Sequence, residues 1–267
     1  MELRRSARTV AWIAASWAVF SLCVGCANAK PTISSIASSA ASSIPAHTGK
    51  IGSVKPGLID VYFVRHAETM ANYSGHYNTK TEDSFAPSAQ KSLPAIVKTL
   101  HNVRLDAAIC SPQWRTMATA LPVLKDHHMK AVLWPELNEC CNQIGAARLK
   151  PPRKSILHVG PIKISSNFLP YFQLDPTDNQ WIANGDYQDG LIQVKLLVKK
   201  FLAAFQGKAA HVLVVGHGYC GGRFLESLLG LPVVGHLIPG NAVLIHLRQQ
   251  PDGSFKLISM KGSYWHK

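Results

Sequence analysis

One stretch constrains the fold more than any other: Asp60 to Asn72, which reads Asp-Val-Tyr-Phe-Val-Arg-His-Ala-Glu-Thr-Met-Ala-Asn. Val61 to Val64 is an apolar, β-prone run, the pattern of a buried strand. Arg65 and His66 come at once after it. A strand that ends on a charged pair delivers both side chains to the rim of its sheet. In open α/β sheets, ligands bind at that rim, at the carboxyl ends of the strands. A strand that ends in two polar residues for no functional reason would look the same. The residues just after the other strands therefore decide between the two.

Those strands are legible. Leu105 to Cys110, Ala131 to Trp134 and His211 to Val215 are short apolar runs, and Ala242 to Leu247 and Phe255 to Met260 add two more. Helical patterns separate most of them. Leu93, Ile96, Val97 and Leu100 form one apolar stripe, with Ser88 as its cap and Pro94 marking a start or a kink. Ser111-Pro112 opens a second helix, a cap residue followed by proline in the first turn. That helix carries Arg115, Met117, Ala120, Leu121 and Leu124, and Pro122 kinks or ends it. Gln188 to Phe205 is amphipathic, with Lys195, Lys199 and Lys200 on its solvated side. Gly221-Gly222 leads into a helix to about Leu229. Strands alternating with helices predict an α/β fold, a three-layer α/β/α sandwich with a mostly parallel central sheet. Tyr73 to Pro87 reads as a surface loop. Residues 140–189, rich in proline and aromatics without periodicity, read as a cap insertion over the site.

The first 56 residues stand apart from this domain. Arg4, Arg5 and Arg8 form a positive n-region, Val10 to Val24 an apolar h-region, and Ala27-Asn28-Ala29 a small-x-small cleavage site. Residues 1–29 are thus expected to be a signal peptide, too short in its apolar part for a membrane span of ~20 residues. Gly25 before Cys26 also allows a lipoprotein signal, which would anchor the chain to a membrane through Cys26. Residues 30–56, rich in Ser and Ala, read as a flexible linker, and residues 57–267 as the folded domain. The expected location is exported, periplasmic or secreted.

Four cysteines then remain, Cys110, Cys140, Cys141 and Cys220. Four allow three pairings, and the sequence does not choose among them. None of these four has Cys-x-x-Cys spacing, so a cysteine zinc site is not expected. The formal net charge is +13 over 267 residues, which favours anionic partners. No nucleic-acid-binding motif or long Lys/Arg run accompanies it.

The polar groups after the strands form a constellation. Arg65-His66 follows the first strand, Arg115 lies a helical turn beyond the second, Glu139 follows the third and His217 the fourth. A parallel sheet brings all of them to one edge. Two arginines, two histidines and a carboxylate at one edge suit a phosphoryl group, because guanidinium forks match phosphate oxygens. Glu136 rivals Glu139 as the carboxylate.

These residues resemble the histidine phosphatase superfamily, in its phosphoglycerate-mutase-like branch. Arg65-His66-Ala67-Glu68-Thr69 with Asn72 is similar to the family's Arg-His-Gly-x-x-x-x-Asn signature, with Ala67 in place of glycine. Ser111-Pro112-x-x-Arg115, Leu137-x-Glu139 and Val215-Gly216-His217-Gly218 resemble its later motifs, in order. The resemblance implies that His66 is the nucleophile and forms a phosphohistidine. It implies that Arg65, Asn72, Arg115 and His217 hold the phosphoryl oxygens, and that Glu139 is the general acid and base. No cofactor and no metal are implied. The partner would be a phosphorylated small molecule or a phosphoprotein, with no nucleic acid. Two other functions compete: a mutase that moves phosphate within a sugar acid, and a catalytically inactive domain that binds an anion at the cell surface. A serine hydrolase fits poorly, since His217 stands where Gly-x-Ser-x-Gly is needed.

Overall fold

The computed structural model describes residues 57–141, 158–182, 187–260 and 264–265. The expected signal peptide and linker, and residues 142–157 and 183–186 of the expected cap, lie outside the described residues. The strands are β1 (Ile59–Arg65), β2 (Ala107–Cys110), β3 (Ala131–Leu133), β4 (His158–Pro161), β5 (Phe172–Leu174), β6 (Gln180–Ile182), β7 (Ala210–Gly216), β8 (Leu237–Ile238), β9 (Leu244–Gln249), β10 (Phe255–Met260) and β11 (Tyr264–Trp265). The helices are α1 (Met70–Ser74), α2 (Thr79–Glu82), α3 (Ala89–Leu100), α4 (Trp114–Asp126), α5 (Tyr187–Phe205) and α6 (Tyr219–Leu228), with a 3-10 turn at Pro135–Leu137.

Seven strands form the central sheet, in the order β10-β9-β1-β7-β2-β3-β5. Pairing is parallel from β1 through β5 and antiparallel at β9 and β10. The expected α/β sandwich with a mostly parallel sheet is what the chain forms. Period-two alternation splits β1 between the two faces. Ile59, Val61 and Phe63 pack with Val194, Leu197 and Phe201 of α5 and with Phe224 of α6. Tyr62 and Val64 pack with Ile96 and Leu100 of α3 and with Met117, Val123 and Leu124 of α4. Each such side chain taken fully out of water contributes roughly 1.5–3 kcal/mol. A strand covered on both faces must be apolar at every position, which is why Val61–Val64 and Val212–Val215 read as unbroken runs.

The topology places the site. From β1 the chain passes over β7 to β2 by way of α3, on one face. From β7 it returns past β1 to β9 by way of α6, on the other face. The carboxyl ends of β1 and β7 are therefore the switch point of the sheet. Their register pairs Arg65 with Gly216, so His66 and His217 leave the sheet side by side. Gly221 and Gly222 lie inside α6, not before it. A Cβ on Gly221 would come within 2.1 Å of the Phe63 ring, and one on Gly222 within 1.9 Å of the Leu237 carbonyl oxygen. Only glycine lets α6 lie that close to the sheet.

Several expectations are corrected. Tyr73–Pro87 is not a plain loop, since α1 ends in it and α2 lies within it. The helix expected from Ser111-Pro112 starts at Trp114, because the Ser111 hydroxyl is used elsewhere. Helices α3 and α4 run on through Pro94 and Pro122. Their buried stripes outweigh the hydrogen bond that each proline forfeits. The strand expected from Ala242 starts at Leu244, because Ala242 takes a left-handed turn conformation at φ 56°. The stretch expected as a cap is partly the body of the fold: Phe172–Leu174 is the seventh strand of the main sheet, and Cys140, Cys141 and Tyr187 are core residues. Among its described residues only β4 and β6 form a separate hairpin-like pair. Lys200 is not solvated like Lys195 and Lys199. It bridges Glu136 at 2.9 Å and Asp175 at 2.7 Å, with its ammonium over the Trp134 ring.

Candidate active site

The carboxyl ends of β1, β2, β3 and β7 carry the site, and each end is fixed by the sheet itself. The His66 N–H donates to the Gly216 carbonyl at 3.0 Å, and the Ser111 N–H to the Val215 carbonyl at 3.0 Å. The His66 and His217 rings meet edge to face, with centroids 5.3 Å apart. Both rings are buried, at 3% and 0% exposure.

Hydrogen bonding assigns the tautomers. His66 Nδ1 lies 2.8 Å from the Ala67 carbonyl oxygen, which can only accept. Nδ1 therefore carries the proton, and Nε2 keeps its lone pair. Burial and the charges of Arg65 and Arg115 hold the His66 pKa well below the ordinary histidine value. The ring is thus neutral at pH 7 with a nucleophilic nitrogen. Ala67 stands without backbone strain, since φ is positive only at His128, Cys141 and Ala242 among the described non-glycine residues. Its N–H donates to Thr119 Oγ1 at 2.9 Å.

His217 is fixed by a relay that sequence reasoning missed. Its Nε2 lies 2.9 Å from Ser111 Oγ, and that hydroxyl donates to Asn138 Oδ1 at 3.0 Å. Because the hydroxyl proton is spent on Asn138, Nε2–H must donate to the serine oxygen. Nδ1 of His217 is then left buried without a protein partner. Burial, Arg115 and His66 hold this ring well below the ordinary histidine pKa as well. In this tautomer Nδ1 holds a lone pair, and it becomes a donor to an anion only when the anion's charge, beside the two arginines, brings a proton onto the ring. The signal in the sequence was Ser111 itself, which helix capping explained too easily.

Arg65 lies against Gly218. Its Nη1 donates to the Pro239 carbonyl at 2.8 Å, and its Nε is buried without a partner. A Cβ at Gly218 would lie 3.0 Å from the guanidinium carbon, so a larger residue there would push Arg65 aside. Arg115 reaches in from the first turn of α4, and its Nη1 lies 3.2 Å from Glu82 Oε2. Burial lowers the pKa of both arginines, against the field of Glu139 at both and of Glu82 at Arg115. Both remain cations at any physiological pH.

The two candidate carboxylates separate. Glu136 points away from the rim into the bridge with Lys200. Glu139 stays at the rim: its Oε1 accepts from the Cys220 N–H at 2.8 Å, and the Tyr219 N–H lies 3.4 Å from Oε2. Burial pushes its pKa up, against those two N–H groups and both arginines. Burial thus favours the neutral form of this carboxyl, the form that can give a proton. Asn72 closes the capping box of α1 with Thr69, and its Oδ1 also accepts from Asn241 Nδ2 at 3.2 Å. The same Asn241 amide donates to the His66 carbonyl at 3.1 Å. Asn72 is therefore tied to His66 through Asn241, a residue that no motif pointed to.

Cys110, Cys140, Cys141 and Cys220 are all unbonded thiols, buried as small apolar residues. Cys140 and Cys141 place their sulfurs 3.2 Å apart without a bond. Among the described residues no group of three or more His, Cys, Asp or Glu side chains is arranged to hold a metal ion.

Comparison with known proteins agrees with this geometry. Residues 61–147 match the profile of the "Histidine phosphatase superfamily (branch 1)". Over 79 residues the chain is 32% identical to the adenosylcobalamin/alpha-ribazole phosphatase of Escherichia coli K12, a stretch that spans 30% of this chain and 39% of that protein. The alpha-ribazole phosphatase structure from Shigella flexneri superposes with a TM-score of 0.53 at 17% identity, over 75% of this chain and 95% of that one. A phosphoglycerate mutase structure from Bacillus anthracis does so at 0.51 and 19% identity, over 78% and 94%. Identities this low speak for the fold alone. Arg65-His66, Arg115 and Glu139 lie inside the residues that match the histidine phosphatase model, and His217, outside them, completes the same pocket; the chain is similar to that superfamily over this stretch.

Proposed function

We propose that the chain is an exported phosphatase that hydrolyses phosphomonoesters through a phosphohistidine on His66. The observation that carries this reading is the locked tautomer of His66, with Nδ1–H on the Ala67 carbonyl and Nε2 left as the nucleophile. Arg65 and Arg115 lie beside it as anion-binding groups, and His217 joins them as a donor once the bound anion protonates its Nδ1. Donors fixed before the reaction need no reorganisation as charge shifts, which is where catalysis of this kind gains most.

In the first step His66 Nε2 attacks phosphorus in line. The bond from phosphorus to the ester oxygen breaks, and its electron pair leaves with that oxygen. Glu139, whose pKa burial has raised, supplies the proton. The Nδ1–H bond to Ala67 supports the charge that the imidazole then carries. In the second step water attacks the phosphohistidine, and the carboxylate of Glu139 takes the water proton. The P–N electron pair returns to Nε2, and inorganic phosphate leaves. Two smaller barriers replace one large one.

Phosphate release from an aryl phosphate, with no metal added, tests the reading. The unmutated chain is expected to release phosphate and to show an acid-labile phosphohistidine after quenching. His66→Ala should do neither. Activity that survives in His66→Ala would overturn the assignment. A folded chain inactive across aryl, sugar and peptide phosphates would leave the pocket as an anion-binding site only. Export rests on the n-region, h-region and Ala27-Asn28-Ala29 of the sequence. N-terminal sequencing of the mature protein should read Lys30 first, and an intact Met1 or a lipid on Cys26 would revise it.

A further inference from the structure

The anion pocket contains a carboxylate that it does not need. Glu82 ends α2, and its Oε2 lies 3.2 Å from Arg115 Nη1 while 39% of the side chain faces solvent. Asp83 follows it, within electrostatic reach of the same guanidinium. Arg115 already has Glu139 in its field, so charge balance does not call for a second acid. The segment is held in place, not loose. Asn78 and Thr81 form a reciprocal capping box on α2, the Met70 N–H donates to the Ser84 carbonyl at 2.9 Å, and the Ala86 N–H to the Glu68 carbonyl at 2.9 Å. Those last two bonds tie the segment directly to the chain leaving β1. Glu82 therefore stands beside Arg115 at the exposed edge of the pocket.

We propose that Glu82 is a specificity residue that selects by charge. It favours phosphomonoesters whose leaving group is neutral or carries an ammonium. It disfavours those with a carboxylate or a second phosphate beside the phosphoryl group. This rests on the phosphoryl site lying at Arg65, His66 and Arg115. The phosphoryl oxygens take Arg115 from Glu82, and the released carboxylate then faces the leaving group. An ammonium there regains the ion pair that Glu82 gave up. A carboxylate there meets like charge. Two unit charges about 7 Å apart, at an effective dielectric constant of about 40 for a half-exposed rim, alter binding roughly five- to tenfold.

A matched pair of phosphonates separates this from turnover, because their C–P bonds are not cleaved. Calorimetry on the unmutated chain is expected to show 2-aminoethylphosphonate binding more tightly than 3-phosphonopropionate, by roughly fivefold or more. Glu82→Gln should erase most of that preference, mainly by tightening 3-phosphonopropionate, while its melting curve stays that of the unmutated chain. An equal affinity for the two ligands, a preference unchanged in Glu82→Gln, or no binding of either would overturn the inference. Clear charge selection in a chain that cleaves no aryl phosphate would retire the hydrolytic reading and leave this one standing.

Discussion

Replacing His217 with Asn should make the protein less sensitive to acid. In the native state both His66 and His217 are buried and held well below the ordinary histidine pKa, by burial first and by the neighbouring arginines next. In the unfolded chain each takes up a proton near pH 6.5. Below that pH the unfolded state binds more protons than the native one, so stability falls as the pH falls. The stability each neutral ring contributes is complete above pH 6.5 and is lost progressively below it. Each such group contributes a slope of about 1.4 kcal/mol per pH unit, so the pair contributes roughly 2.7. His127 and His211, also lowered by burial, add a background that the substitution leaves alone. Asn cannot titrate, yet its amide can still donate to Ser111. The measurement is urea unfolding between pH 7.5 and 5.0, with and without His217→Asn. The slope should drop by about 1.4 kcal/mol per pH unit in the variant. Inorganic phosphate should bind the native state and stabilise the unmutated protein more than the variant. Parallel slopes in the two proteins would refute the reasoning, because they would mean that His217 can be protonated where it stands.

Two further substitutions probe other parts of the structure. Lys200→Met should cost about 3–5 kcal/mol at pH 7 by stranding the buried carboxylates of Glu136 and Asp175. The deficit should shrink in acid as they protonate, and equal losses at pH 7 and pH 4.5 in denaturant unfolding would argue that the bridge is not what holds them. Glu139→Gln should slow hydrolysis of an alkyl phosphate by roughly 10²–10⁴, while a nitrophenyl ester, whose leaving group needs no proton, still gives a burst of phenol. Equal losses on both esters in rapid-quench assays would place the acid elsewhere.

Much of the fold and the site is legible in the chain itself. Unbroken apolar runs such as Val61–Val64 announce strands covered on both faces, and their alternation with amphipathic stripes announces a parallel sheet. Once the sheet is parallel, the residue after each strand must lie at one rim, so Arg65-His66, Arg115, Glu139 and His217 converge by topology. Local chain chemistry misled at Ser111, because a serine before Pro112 looks like a helix cap. Its hydroxyl instead serves His217, over a hundred residues away. Lys200 misled in the same way, since its place on the polar side of α5 says nothing of Glu136 and Asp175, which arrive from other elements.

Periodicity and spacing report on one element at a time, because backbone geometry and burial impose their pattern locally. They determined the strands, most of the helices, and the residue types that meet at the rim. Tertiary structure decided which nitrogen of each histidine holds the proton, which of Glu136 and Glu139 faces the pocket, and that Glu82 competes for Arg115. Each of those depends on a partner distant in sequence, placed to within a hydrogen bond by packing, and short-range patterns carry no record of it.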